Sequence, residues 1–283
     1  MSSLDEAITR AASKKISAYE RRKNRIQDAN ARRSRRSVAR VPLAEPVRPS
    51  LWSLDPGFDP FHVRSRAQVI AHTIEGRLRD RSYTPLRPAG FQLTKSGGGT
   101  REVTSFAIAD EVISGRLYRS LLGKNRSKLS PRSYAYRDDQ GAIDALSHMT
   151  SDWREEKRLF VAQYDFSDYF ESIDHEHLRR TFRALNFTMT SMERYLLEAF
   201  LEAPLPYLSR EEKSRSATKR VRGIHQGTSI SLLLANVAAT PLDRSLERLG
   251  VSFVRYADDL IVWSRDYASI CDSVDALNDF AEE

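Results

Sequence analysis

Residues 251–264 read Val-Ser-Phe-Val-Arg-Tyr-Ala-Asp-Asp-Leu-Ile-Val-Trp-Ser. Two β-prone runs, 251–256 and 260–264, flank a short turn that carries Ala257, Asp258 and Asp259, and this pattern predicts a β-hairpin. Adjacent carboxylates in a tight turn repel each other unless a cation lies beside them, so the pair indicates a metal site. The alternative is a turn that uses aspartate only for local hydrogen bonding.

A second apolar run, upstream of the hairpin, also ends on an acid. Residues 159–165 predict a strand ending at Asp165, and the chain continues Phe-Ser-Asp-Tyr-Phe to Phe170. A buried carboxylate is costly unless a cation compensates its charge. Strand-end carboxylates that converge suit Mg²⁺, which takes few protein oxygens and completes its shell with water and substrate phosphate. The two acidic segments therefore indicate two-metal nucleotidyl transfer.

The order of the remaining elements is what a polymerase palm requires. Between the strand and the hairpin we predict helices at 174–185, 191–202 and 228–249, and a last helix at 266–283. Upstream we predict helices at 5–36, 64–81 and 110–122 and a hairpin within 91–108 around Gly97-Gly98-Gly99. Residues 42–60 hold five prolines and predict a linker, and the basic segment 204–222 predicts a surface loop.

Composition limits the class of protein. The 283 residues are 40% hydrophobic and 29% charged, as in soluble globular proteins. We find no signal region and no membrane-length apolar run, so we expect a cytoplasmic protein without a membrane partner. The only cysteine, Cys271, excludes an internal disulfide and a cysteine-cluster zinc site.

The net charge of +7 is concentrated at the N-terminus. Residues 1–40 hold 12 Lys and Arg against 4 Asp and Glu, a balance of +8, so the remainder has a balance of −1. Arginine-rich segments of this kind commonly neutralise nucleic-acid phosphates. The alternative is a solvated helix or a disordered tail.

Five short motifs in one order resemble bacterial reverse transcriptases of the kind related to group II introns, retrons and defence-associated systems, over roughly residues 65–283. Tyr-Ala-Asp-Asp at 256–259 matches the catalytic turn of that family, and Asp165 with Phe170 matches its first catalytic motif. Gly-Ile-His-Gln-Gly at 223–227, continuing to Leu-Ala-Asn at 234–236, resembles its Gly-Pro-Gln-Gly motif. Lys95 with Arg101 resembles its fingers hairpin, and Ser-Tyr-Ala-Tyr-Arg at 133–137 resembles the string between them.

The resemblance implies a role for each site residue. It makes Asp165, Asp258 and Asp259 catalytic metal ligands, with a backbone carbonyl from Phe166, around two Mg²⁺ ions or Mn²⁺. It makes Phe170 a steric gate that excludes a ribose 2′-hydroxyl, and Lys95 and Arg101 the residues that grip the triphosphate. It brings Gln226 and Gly227 close to the template–nucleotide pair, where a glycine permits close backbone contact. We interpret Asp168 and Glu171 as surface or hydrogen-bonding residues, and His175 and His177 as polar residues at a helix start.

The fold implied is α+β, a right-hand polymerase with fingers and a ferredoxin-like palm sheet. We expect a basic helical arm at 1–40, a proline-rich linker at 41–63, fingers at 64–158 and a palm at 159–283. The sequence departs from the family where His225 and Leu232 replace prolines. It ends 24 residues (283 − 259) after Asp259, so we expect the thumb to be absent from this chain.

The function implied is RNA-directed DNA polymerisation, in which dNTPs are joined to a primer 3′-hydroxyl, with a leaning towards antiphage defence. The expected partners are an RNA template, a DNA or protein primer, a structured non-coding RNA, and a protein subunit or second copy of the chain. One alternative is a catalytically idle, maturase-like RNA-binding protein. A second alternative is RNA-templated RNA synthesis, against which the Tyr-Ala-Asp-Asp turn and Phe170 both argue. A template-independent or protein-primed DNA polymerase also stays open.

Overall fold

The computed structural model describes residues 3–36, 44–94, 98, 100–154, 156–213 and 220–282. The chain forms two compact units. The first comprises Met1–Ser114 with Ala203–Lys219, and the second comprises Gly115–Glu202 with Arg220–Glu283. This division does not coincide with the boundaries at 40, 63 and 158 that the sequence suggested for the arm, linker, fingers and palm, and those boundaries stay a prediction.

The helices and strands follow the predicted order. The strands are β1 (Ala89–Thr94), β2 (Thr100–Ser105), β3 (Phe160–Asp165), β4 (Ser252–Tyr256) and β5 (Asp259–Ser264). The helices are α1 (Leu4–Arg36), α2 (Pro60–Ser65), α3 (Ala67–Arg79), α4 (Ile108–Asn125), α5 (Ala142–Arg154), α6 (Tyr169–Ser172), α7 (His175–Ala184), α8 (Ser191–Leu201), α9 (Arg210–Lys213), α10 (Ser229–Leu249) and α11 (Tyr267–Glu282).

The sequence missed four of these elements. Helices α5 and α6 were not predicted, and the predicted loop at 204–222 contains α9. The segment taken as a linker continues into α2, which begins at Pro60 and is capped by the Asp59 side chain accepting the Phe61 N–H. A proline at the first helical position loses no hydrogen bond, so proline here starts a helix rather than preventing one.

In the first unit, β1 and β2 pair antiparallel, with Leu93 opposite Arg101, which confirms the predicted hairpin. Helix α1 contacts α2 and α3, and the buried side chains of its described part lie from Leu4 to Ile16. A small apolar core forms from four buried residues. Ala89 begins β1, Ala107 follows β2, Phe58 lies in a 3₁₀ turn and Tyr207 precedes α9.

The second unit is built on an antiparallel sheet in the order β3-β5-β4. One face packs against α10 and α11 through an apolar core that includes Leu246, Phe253, Leu260, Val262 and Leu277. The other face carries Val254 and Trp263, which pack against α5 and Tyr134. Asp165, Asp258 and Asp259 lie at one end of this sheet. Because both faces of the sheet are covered by packed side chains, the positions of these acids are fixed by the sheet.

Candidate active site

The β-sheet register brings the first acid and the hairpin acids to the same end of the sheet. Asp165, the last residue of β3, is the partner of Asp259, the first residue of β5. Asp259 also pairs with Tyr256, the last residue of β4. Asp258 lies in the two-residue turn that joins β4 to β5. Directly opposed residues on antiparallel strands lie about 5 Å apart at Cα, so the convergence expected from the sequence is present.

The three carboxylates influence each other electrostatically. The pKa of Asp259 is raised, first by partial burial and then by the negative charges of Asp258 and Asp165. In the described part of the chain, no three carboxylate, imidazole or thiol side chains are gathered closely enough to enclose an ion. Like charges favour side-chain orientations that keep the carboxylates apart, whereas a bound cation favours the charged form of each.

These residues fit a hard divalent cation. Carboxylates and a backbone carbonyl are the oxygen donors that Mg²⁺ prefers. Burial, and after it the charges of Asp258 and Asp165, raise the pKa of Asp259, and a cation bound there would offset both effects. The Phe166 side chain packs in the core beneath the site and contacts the Phe280 ring at 5.8 Å. Its backbone position directly after Asp165 agrees with the predicted carbonyl ligand, which stays a prediction.

A buried ion pair lies beneath the hairpin turn. Arg255 donates from Nε and Nη2 to the two carboxylate oxygens of Asp243, each at 2.7 Å, and both side chains are at most 1% exposed. Burial raises the pKa of Asp243, and the Arg255 guanidinium offsets part of that rise. Such a pair is retained only when further hydrogen bonds satisfy its remaining donors.

The remaining donor of Arg255 holds the turn itself. Nη1 donates to the Ala257 carbonyl at 3.1 Å and to Asn236 Oδ1 at 3.2 Å. Ala257 has a φ of +61°, a left-handed conformation that costs a non-glycine residue about 1–2 kcal/mol. The guanidinium therefore contacts the strained residue directly before Asp258 and connects it to α10.

The Ser-Tyr-Ala-Tyr-Arg string extends the same network. Ser133 forms a parallel bridge with Arg255, and Tyr134 N–H donates to the Arg255 carbonyl at 2.9 Å. Ser133 Oγ donates to Asn236 Oδ1 at 3.1 Å, and Asn236 Nδ2 donates to the Ala135 carbonyl at 2.8 Å. The string thus supports the outer side of β4, the strand that leads into the acidic turn.

The glycine-rich segment 223–227 is joined to the segment that follows Asp165. Gly223 N–H donates to the Ile173 carbonyl and Ile224 N–H to the Phe170 carbonyl, both at 2.7 Å. Gly223 has a φ of +78°, and a Cβ there would lie 2.6 Å from the Glu171 carbonyl oxygen. Only glycine fits this close backbone crossing.

The predicted substrate residues lie in different parts of the chain. Phe170 is buried in α6, with Tyr136 edge-on to its ring at 6.5 Å. Gln226 Nε2 donates to Glu171 Oε1 at 2.9 Å, so Glu171 has the hydrogen-bonding role expected for it. Gly227 has a φ of +141°. Lys95 and the Arg101 side chain lie outside the described residues, although the Arg101 backbone belongs to β2.

The two histidines of α7 both contact backbone carbonyls. His175 Nε2 donates to the Gly223 carbonyl and His177 Nε2 to the Ala238 carbonyl, each at 2.9 Å. They therefore connect α7 to the glycine-rich segment and to α10, and both lie in the first turn of α7, as expected of polar residues at a helix start.

Sequence reasoning missed Arg255, Asp243 and Asn236 as residues that position the site. The available signal was a charged or amide side chain inside an otherwise apolar helix or strand, because buried polar groups require partners. The identity of the partners was not visible, since the contacts join residues 12 to 19 positions apart through the fold.

Comparisons with known proteins agree with this geometry. Residues 93–283 match the family model described as reverse transcriptase (RNA-dependent DNA polymerase). The chain is 25% identical over 217 residues to protein YkfC of Escherichia coli (strain K12), an alignment that covers 72% of this chain and 54% of YkfC. The chain therefore spans about half the length of that curated relative.

A solved structure shares the fold. The chain resembles telomerase from Candida albicans, determined in complex with a TWJ fragment of telomeric RNA, with a TM-score of 0.52 and 11% identity. The likeness covers 76% of this chain and 44% of that chain, and it confirms the predicted α+β fold with fingers and palm. At this identity the likeness concerns the fold alone, and the activity has to be argued from the site.

Proposed function

This chain belongs to the reverse transcriptase (RNA-dependent DNA polymerase) family, and from its site we propose that it joins deoxynucleotides to a primer 3′-hydroxyl under the direction of an RNA template. The observation that carries the proposal is the pairing of Asp165 with Asp259 beside the turn that holds Asp258. A protein that only bound RNA would gain nothing from three acids at the place where a phosphate backbone approaches.

The acids are suited to hold divalent metal ions, which reverse transcriptase domains generally use. We propose Mg²⁺ as the metal, with two ions held by Asp165, Asp258, Asp259 and the Phe166 carbonyl. When bound, such ions lower the pKa of an attacking hydroxyl and neutralise charge on the transferred and leaving phosphates. The contribution of the chain is to keep the three carboxylates at the end of a rigid sheet, so that little reorganisation is needed when substrate arrives.

Other residues would select and align the nucleotide. The Phe170 ring would occupy the space that a ribose 2′-hydroxyl needs, which favours deoxynucleotides. Its location in α6 supports this role, because the Ile224 N–H and the edge of Tyr136 both fix the helix that carries it. Lys95 and Arg101 would bind the triphosphate as cations, and Gln226 and Gly227 would lie against the template–nucleotide pair.

The biological setting is also a proposal. We infer that the template is RNA, that the primer is DNA or protein, and that a structured non-coding RNA and a protein subunit or second copy complete the assembly. An antiphage role in the cytoplasm fits the resemblance to defence-associated enzymes. No helix among the described residues combines the length and apolar character that crossing a membrane requires.

The test is primer extension on a defined RNA template, with the purified chain and any RNA that co-purifies with it. We expect labelled deoxynucleotides to be incorporated in a Mg²⁺-dependent reaction, and Asp258→Asn and Asp259→Asn to abolish incorporation while the protein stays folded. A matched control is Asp266→Asn, a carboxylate on the same unit whose side chain caps α11 through Ser269. Equal incorporation by all variants would refute a catalytic role for the turn.

The second candidate is a catalytically idle, maturase-like RNA-binding protein. The exposed basic residues of α1, among them Arg21, Arg25 and Arg32, are the observation that favours RNA binding in its own right. The primer-extension assay separates the two, because an idle protein retains bound RNA but incorporates no nucleotide with or without Asp258 and Asp259.

A further inference from the structure

One side of α1 is held against the first unit. Leu4, Ile8, Ala12 and Ile16 are buried there. Further along the same side, the Tyr19 ring lies edge-on to Trp52 at a centroid distance of 5.2 Å. The helix is therefore anchored along one face as far as its second half.

The second half of α1 is also contacted on that face. Asn30 Nδ2 donates to the Ala44 carbonyl at 2.7 Å, and Ala44 N–H donates back to Asn30 Oδ1 at 3.3 Å. Ile26 is half-buried on the same side. Ala44 therefore lies against the anchored face of α1, on the side away from the exposed Arg21 and Arg25.

The opposite face carries a regular series of basic residues. They are separated by four, seven, four and seven positions, and we call them the basic row: Arg10, Lys14, Arg21, Arg25 and Arg32. At about 100° per residue, each such step returns to within about 40° of the same direction on the helix. All five side chains are exposed, and none forms an ion pair with another residue that the structure describes.

The basic row extends over a long, straight surface. From Arg10 to Arg32 there are 22 residues, which span about 33 Å at a rise of about 1.5 Å per residue. The row contains no aromatic side chain on which an unpaired base could stack, and stacking is the usual means of holding single strands. A series of exposed cations along one side of a helix is suited to repeated contacts with a regular series of anions.

We propose that the basic row of α1 binds the phosphate backbone of double-helical RNA. Duplex RNA presents a dense, regular series of phosphates, and proteins recognise it by shape and backbone rather than by base edges. Arginine guanidinium groups match phosphate oxygens in a bidentate manner. The choice of RNA over DNA rests on the proposed function, whereas the phosphate contact itself follows from the row.

A membrane surface fits this helix less well. An interfacial helix needs a free apolar face to bury in the lipid headgroup region. The apolar face of α1 is already occupied, through Ile8, Ala12 and Ile16 and through the contacts of Tyr19 and Asn30. The free face is mainly basic, although it also carries the small side chains of Ala18 and Ala29 and the carboxylate of Asp28, and it suits nucleic acid better than lipid.

The test compares two triple variants of the full chain that remove equal charge from the same segment. The row variant is Arg21→Gln, Arg25→Gln and Arg32→Gln. The control variant is Arg22→Gln, Lys23→Gln and Arg33→Gln, whose side chains are also exposed but lie off the row. Binding of a labelled RNA duplex of about 20 base pairs is measured by fluorescence anisotropy across a range of KCl concentrations, without nucleotides.

We expect the row variant to bind the duplex at least about 10-fold more weakly and to reduce the slope of log affinity against log salt by roughly 2 to 3, one contact for each arginine. We expect the control variant to change affinity less than about 3-fold. Circular dichroism at 222 nm should be the same for both variants, since glutamine and arginine have similar helix propensities.

Several results would overturn the proposal. They are equal losses in both variants, binding of single-stranded RNA or duplex DNA as tight as that of duplex RNA, or loss of binding to anionic vesicles with duplex RNA binding unchanged. Because the assay contains no nucleotides, its outcome does not depend on polymerase activity. A chain that extends primers but shows no effect of the row would refute only the inference about α1.

Discussion

Variants of the buried pair Arg255–Asp243 test two effects separately. One is the contribution of the pair to the stability of the second unit, and the other is its contribution to the geometry of the acidic turn. Arg255→Met leaves the Asp243 carboxylate fully buried without the two 2.7 Å hydrogen bonds that compensate it. Removal of one partner from a buried pair typically costs about 3–5 kcal/mol. We expect this variant, and equally Asp243→Leu, to lose that much free energy of unfolding, a large share of the stability of an ordinary domain.

The paired variant Arg255→Met with Asp243→Leu removes both charges together. A buried ion pair replaced by apolar residues of similar volume is often neutral or stabilising. The Ala257 carbonyl loses its Arg255 donor, and an unsatisfied buried acceptor costs about 1–3 kcal/mol, whereas Asn236 Oδ1 keeps the hydrogen bond from Ser133 Oγ. We therefore expect the paired variant to recover much of the stability lost in either single variant.

Activity should not recover with stability. Without Arg255, the left-handed Ala257 loses the contact that holds its carbonyl, so the turn that carries Asp258 is less well fixed. We expect kcat for primer extension to fall about 10- to 100-fold with little change in the KM for deoxynucleotides, since loss of preorganisation affects the transition state more than binding. Urea denaturation followed by circular dichroism measures the first effect and steady-state kinetics the second. A folded paired variant with the kcat of the native sequence would refute the reasoning.

Three further predictions concern other parts of the chain. Phe170→Ala should raise ribonucleotide incorporation relative to deoxynucleotides by about 10-fold or more in primer extension, as expected for a lost pocket contact, and unchanged sugar selectivity in the folded variant would contradict it. Gly223→Ala should lower the thermal midpoint, because φ is +78° and the new Cβ meets the Glu171 carbonyl, whereas the control Gly76→Ala in α3 meets nothing within 4 Å and should be neutral or stabilising. Burial raises the pKa of Asp110 to about 6 from 3.8, so its protonated form is favoured in the folded state and unfolding free energy should fall by roughly 3 kcal/mol as pH rises from about 4 to above 6. Asp110→Asn should flatten that part of the pH profile in urea denaturation, and identical profiles for both proteins would exclude the assignment.

The local elements of the palm were predictable because each has a strong pattern of its own. The alternation of β3 and the two apolar runs around Ala257 and Asp258 indicate strands with little ambiguity. The hairpin turn fixes the register of β4 with β5, and the apolar face of each strand then decides which side faces α10. The convergence of Asp165 with Asp259 follows once β3 pairs with β5.

Helix α5, which packs against Val254 and Trp263, was not predicted although its amphipathic pattern is as clear as that of α3 and α11. Other contacts depend on distant partners. The parallel bridge between Ser133 and Arg255 adds a non-helical, non-hairpin segment to the edge of the sheet. Nothing local in residues 133–137 specifies that contact, because it depends on Asn236 in a helix about 100 residues later.

Loss of a charge is expected to affect stability in opposite ways at the acidic end of the sheet and in the buried pair Arg255–Asp243. Asp165 and Asp259 are exposed and repel each other. The pKa of Asp259 is raised first by partial burial and then by the charges of Asp258 and Asp165, so removing the charge of Asp165 relieves part of that rise. Arg255 and Asp243 are enclosed, and loss of either leaves an uncompensated charge. A site that must hold clustered negative charge cannot be kept in place by the favourable interactions of its own side chains. Its geometry has to come from groups that chemistry does not use, and here those groups are the Arg255 guanidinium, Asn236 and the backbone of Ala257.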